Sequence, residues 1–118
     1  MATLMRQEKD YWGIDLSDDV VVKNIIKIKN IFEEVLSKQT APFAVAIFFE
    51  KVKFVDSSGV ALLLNFYHRW TKKGKNNSVF LVGPSNEILE LFEMANVLTV
   101  IKNFQNEEDL KRILSVSK

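Results

Sequence analysis

Hydrophobic and polar positions alternate along this chain in patterns that change character from segment to segment. From Leu4 to Leu16 charged and apolar residues mix, the pattern of one or two edge strands, with Gly13 as a turn or bulge. Val21, Ile25, Ile28, Phe32 and Val35 then recur at three- and four-residue steps, which predicts an amphipathic helix running to about Ser37 with Lys23, Lys27, Lys29 and Glu34 on its opposite face. Ser17 and Asp18 stand ahead of it as N-caps. The helix must stop before Pro42, because proline disfavours a helical conformation in the residue preceding it.

The run FAVAIFF, Phe43 to Phe49, shows no alternation, as expected of a strand covered on both faces in the centre of a largely parallel sheet. After Glu50 to Val55, the residues DSSG open a second helical pattern that closes near KKGKNN, with Gly74 as a cap or turn residue. SVFLV is the next buried strand. Gly83 and Pro84 turn the chain, Ser85 caps, and Ile88, Leu91, Phe92 and Ala95 form an apolar stripe before a strand from about Leu98. Asn106 caps a final helix whose first turn carries acids, where the helix dipole favours negative charge. Strands alternating with helices predict an α/β fold: a mixed, mainly parallel β-sheet with flanking α-helices, joined by right-handed crossovers.

Composition narrows the function classes. At 118 residues with 47% hydrophobic and 26% charged residues the chain suits one domain around one core. A net charge of +1 gives no general attraction for nucleic acid, and neither nucleic acid nor a membrane span is expected. The opening MATLMRQEKD develops no apolar export segment and cysteine is absent, so a cytoplasmic location is expected.

The residues that could carry chemistry are Asp56, Ser57, Ser58 and Gly59. They could simply satisfy the unpaired amides of a helix start, Gly59 allowing the tight turn. A serine nucleophile would need a base within reach, and the single histidine, His68, lies roughly 16 Å further along a continuous helix at about 1.5 Å per residue. The G-x-S-x-G elbow is missing too, since valine precedes Asp56. No catalytic residue, metal site or cofactor is expected, and without a P-loop glycine-lysine motif the chain reads as a receiver of phosphate rather than a source.

On a helical wheel of residues 60 to 73, Val60, Leu63, Leu64, Tyr67 and Trp70 share the apolar side, with Asn65, His68, Arg69 and Lys72 opposite. Leu62 falls on the polar side and Phe66 on the rim one turn on, so both are candidate partner anchors beside the serines, with Met94 bordering them. Lys72, Lys73 and Lys75 read as a solvated turn, and Tyr11, Trp12 and Tyr67 as core or sheet-edge groups.

The stretch FAVAIFFEKVKFVDSSGVALLLNFYHRWTKKGKNNSVFLVGPSNEILELFEMANVLTVI resembles the STAS domain of bacterial anti-sigma-factor antagonists: buried strand, DSSG-opened helix, basic glycine turn, a strand ending in LVGPS, then a helix and a leucine-valine strand. Likeness is best over 43–110 and weaker over 1–42, within a single STAS-like domain expected over 1–118. The resemblance implies a phosphorylation-switched binding protein rather than an enzyme. Its phosphorylated serine would be Ser57, directly after Asp56, with Ser58 a second candidate and Gly59 flanking. Implied partners are an anti-sigma factor with serine kinase activity, bound by the unphosphorylated form so that a sigma factor is freed for transcription, and a phosphatase. The alternative is a scaffold subunit of a signalling assembly or lipid transporter complex, in which DSSG is only a cap. Where the family usually has glycine after the helix following GPS, this chain has Asn96, which tolerates the left-handed conformation better than other non-glycine residues.

Overall fold

The computed structural model describes residues 4–116; the outermost parts of the expected 1–118 domain, residues 1–3 and 117–118, lie outside the described residues. In chain order the elements are β1 (Leu4–Gln7), β2 (Trp12–Asp15), α1 (Ile25–Leu36), β3 (Ala44–Phe48), α2 (Ser57–Lys72), β4 (Ser78–Val82), α3 (Asn86–Met94), β5 (Lys102–Phe104) and α4 (Glu107–Val116). Short 3-10 turns at Val22–Asn24 and Val97–Thr99 precede α1 and β5. The strands form one five-stranded sheet in the order β1-β2-β3-β4-β5, with β1 antiparallel to β2 and every later pair parallel. β3 lies in the middle and all its residues are buried, which is why its sequence does not alternate.

Side chains alternate across the sheet. Val45 and Ile47 of β3 face a large core closed by α1, α2 and α3, while Ala44, Ala46 and Phe48 face a smaller one closed by Leu110 of α4 together with Tyr11 and Phe104. In α1 the buried residues are Ile28, Phe32 and Val35, all from the predicted stripe. Trp70 anchors the far end of α2 by donating its indole N–H to the carbonyls of Phe43, at 3.0 Å, and Ser78, at 3.1 Å. Tyr11 and Trp12 are buried as expected.

The structure departs from the sequence reading in several places. Of the one or two edge strands expected here, β1 is one, while β2 is interior, pairing with β1 on one side and β3 on the other. Gly13 makes neither turn nor bulge: it stands in regular register between Arg6 and Ala46, and a Cβ there would come within 3.1 Å of Arg6 Cγ. The missing side chain lets Arg6 cross β2 and lie over the ring of Phe48, at 4.7 Å from its centroid. Ser17 and Asp18 do not cap α1, which starts later, after its 3-10 turn. The neighbouring acids serve tertiary contacts instead, Asp18 pairing with Lys27 at 3.3 Å and Asp19 accepting the amides of Lys53 and Phe54 at 2.8 and 3.1 Å. The strand expected from Leu98 begins at Lys102, because Asn96 leaves α3 in the left-handed conformation, φ 62°, and the chain makes one more turn before pairing. Among the described residues no helix is long and apolar enough to cross a membrane.

Candidate functional site

Asp56 is the N-cap of α2, extended at φ −108° and ψ −174° so that its side chain folds back over the helix mouth. Its Oδ1 accepts the Ser58 hydroxyl at 2.5 Å and the Gly59 amide at 3.1 Å, and its Oδ2 accepts the amide of Val22 at 3.0 Å. One carboxylate therefore satisfies helix-start donors and also ties the helix to the turn before α1. The Ser58 hydroxyl and then the Val22 amide hold the Asp56 carboxyl below its ordinary range, outweighing the opposing effect of partial burial.

The backbone around the cap is drawn in just as closely. Val20 forms a parallel bridge with Val55; its amide donates to the Phe54 carbonyl at 2.9 Å and its own carbonyl accepts from the Asp56 amide at 3.2 Å. Gly59, one turn into the helix, is buried against this segment, and a Cβ would lie 2.3 Å from the Val20 carbonyl oxygen. Glycine is required here for close approach, rather than for an unusual turn.

The two serines differ. Ser58 is half-buried and its hydroxyl is engaged by Asp56. Ser57, the first residue of α2, is exposed, and no hydrogen bond of its hydroxyl occurs among the described residues. His68 is exposed and carried away along α2, its ring against Tyr67. Among the described residues no cluster of His, Cys, Asp or Glu is arranged to hold a metal ion.

Of the expected partner anchors, Phe66 must be corrected. It is 1% exposed, with its ring 4.8 Å from that of Phe32 and stacked on Trp70. The buried line of α2 runs Gly59, Leu63, Phe66 and Trp70, so Phe66 lies at the centre of the apolar face and Val60, Leu64 and Tyr67 are its half-buried flanks. Leu62 is also half-buried and packs against the core. Met94, the last residue of α3, is 83% exposed.

Other large apolar residues are exposed in the segments before α2 and at the start of α1: Val22, whose amide is bound by Asp56, at 69%, Phe54 at 66% and Ile26 at 74%. For Ile26 the sequence held a signal: Ile25 stands in one row with Ile28 and Phe32, and Ile26 falls about 100° round the helix from it, outside the stripe that packs on the core.

Fold and site together describe a small α/β domain in which a mixed, mainly parallel sheet holds a capped helix mouth whose first residue, Ser57, is exposed. The STAS domain profile matches residues 7–110, and the chain belongs to the STAS domain family. Its fold is that of solved anti-sigma-factor antagonists. An anti-sigma-factor antagonist (STAS) domain protein from Planctomyces limnophilus superposes with a TM-score of 0.84 at 18% identity, covering 97% of this chain and 98% of the other. The anti-sigma factor antagonist SpoIIAA in its unphosphorylated form gives 0.74 at 20% identity over 95% and 96% of the two chains. The phosphorylated form of SpoIIAA, described as a Bacillus cell fate determinant, gives 0.69 at 20% identity over 95% and 99%. No curated protein matches the sequence.

Proposed function

We propose that this protein is an anti-sigma-factor antagonist: a cytoplasmic binding module, without catalysis of its own, that is switched by phosphorylation of Ser57. Unphosphorylated, it holds an anti-sigma factor that is also a serine kinase, and a sigma factor is released for transcription; phosphorylated, it lets go until a phosphatase restores it. The observation that carries the reading is the contrast between the serines, Ser57 exposed and unengaged and Ser58 bound to Asp56. Membership of the STAS family and likeness to SpoIIAA, which was solved both with and without phosphate, support it.

A phosphate brings roughly 1.5 to 2 negative charges at neutral pH. At a docked surface, facing a partner carboxylate about 5 Å away in an effective dielectric near 20, each charge pair costs on the order of 3 kcal/mol. That exceeds a hundredfold in affinity. Incubation with the serine kinases of the source genome and ATP, with the phosphate located by peptide mass, tests the reading. Phosphate on Ser57 is expected. Ser57 and Ser58 both unmodified by every kinase would favour a scaffold subunit in which DSSG only caps the helix.

A further inference from the structure

We propose that α4 is a strap that lifts off the sheet as one unit and, at high protein concentration, closes on a second copy of the chain in exchange for that copy's own α4. The inference does not use the reading of Ser57 and stands or falls apart from it. The sheet face opposite α1, α2 and α3 carries Ala44, Ala46, Phe48, Val82 and Phe104, and α4 covers it. Helices on the other face are seated by rows of buried side chains, Ile28, Phe32 and Val35 in α1 and Leu63, Phe66 and Trp70 in α2. In α4, Leu110 is the one fully buried side chain among the described residues; Leu114 is half-buried and Ile113 is 43% exposed. An open cleft of about 420 Å³ runs between residues 108–115 and the turn at residues 8–11, so water reaches along that side of the helix. An element with so little buried apolar surface belongs to the part of a fold that opens first.

A polar clamp at its first residue adds to what Leu110 supplies. Glu107 pairs with Arg6 at 3.1 Å and accepts the Tyr11 hydroxyl, and Arg6 is itself fixed by Asp15 and Glu8, each at 2.7 Å. The helix carries its own start with it: Asn106 accepts the Asp109 amide at 3.0 Å, and Asp109 pairs with Arg112 at 3.3 Å. The edge of the moving part is sharp, because the Phe104 carbonyl is held by the Gly83 amide at 2.8 Å and the exposed pair Gln105 and Asn106 then leads into α4. Short hinges of this kind favour exchange between copies. The apolar face left by α4 needs cover, and the surface on the page that complements it is α4 itself, with Leu110 for the smaller core and Glu107 for Arg6 and Tyr11. A second copy presents the same groups, so exchange restores each of these contacts.

Native-state amide hydrogen exchange of the full chain, read by NMR, tests the strap. Amides of residues 111–115 are expected to exchange while those of β3 stay protected. Glu107→Ala should speed exchange in α4 by about tenfold or more and leave β3 unchanged. Glu108→Ala is the control, since it removes a first-turn acid without touching Arg6 or Tyr11, and its effect should be several-fold smaller. Light scattering of wild type held at about 1 mM tests the second copy, with a slowly reverting dimer expected. In a mixture of isotope-labelled and unlabelled chains, Leu110 of one copy should lie against Tyr11 of the other. Deleting Gln105 shortens the hinge and should shift the population further to dimer. Exchange of α4 only together with β3, or equal effects of Glu107→Ala and Glu108→Ala, overturns the strap. A monomer at that concentration in both wild type and the deletion protein, or a dimer in which every α4 stays on its own sheet, overturns the exchange between copies.

Discussion

Asp56 answers three donors with one carboxylate, and its charge is therefore part of what closes the helix mouth. Folding lowers its pKa, so its contribution is complete above the ordinary aspartate value of 3.8 and disappears as pH falls through the lower value of the folded state. Asp56→Asn should be less stable than wild type at neutral pH, since its amide group would offer a donor to Ser58 or Val22 where an acceptor is needed. The gap should close in acid, as wild type loses its carboxylate, and urea midpoints measured from neutral pH down to about 3 would follow it. Gly59 gives the complementary case. Alanine is normally worth about 1 kcal/mol over glycine inside a helix. Here its Cβ would meet the Val20 carbonyl oxygen at 2.3 Å, a backbone atom held by its own hydrogen bond to Asp56. Gly59→Ala should therefore destabilise, by roughly 1 to 3 kcal/mol in urea unfolding.

Elements were legible in the sequence where local pattern and tertiary role coincide. β3 needed only an apolar run, α3 a cap at Ser85 and a stripe, and α4 a cap at Asn106, whose side chain accepts the Asp109 amide at 3.0 Å. The DSSG start of α2 was equally plain, because Asp56 uses its cap chemistry on its own helix. Asp19 shows the opposite: the same kind of residue ahead of a helix, spent on the amides of Lys53 and Phe54 more than thirty positions away, so the start of α1 moved. Gly13 was illegible for the same reason, its meaning lying in an arginine on the neighbouring strand. Ser57's place at the start of α2 was readable, but Phe66 was misplaced on the rim: three residues after Leu63 and four before Trp70, it shares their face of the wheel and packs against Phe32. Asn96 was legible as a left-handed cap, and this makes a prediction about α3. At φ 62° a Cβ costs up to about 1 to 2 kcal/mol, less for asparagine. Asn96→Gly should hold or slightly raise the unfolding midpoint, and Asn96→Val should lower it by about 1 kcal/mol or more.

Across the whole molecule, the sheet separates two packing layers. The mouth of α2 meets the turn before α1 on one face of the sheet; α4 closes the other, pinned by Leu110 and by the Arg6, Tyr11 and Glu107 side chains. A charge added at Ser57 gains only about 0.3 to 1 kcal/mol from the helix dipole, little beside what the two cores contribute. Interconversion of global states would require an element with two arrangements, and the helix mouth is instead clamped by Asp56, the Val20–Val55 bridge and the close seat of Gly59. Phosphate on Ser57, or Ser57→Asp, should accordingly move backbone amide NMR signals of residues 20–24 and 54–60 and leave those of α4 in place, with the unfolding midpoint close to wild type. Any loss of partner binding would then arise at the surface itself. Signals displaced as far as Leu110, or a midpoint that falls with the added charge, would mean that the modification acts by reshaping the fold, and the switch would have to be sought in how the two layers pack.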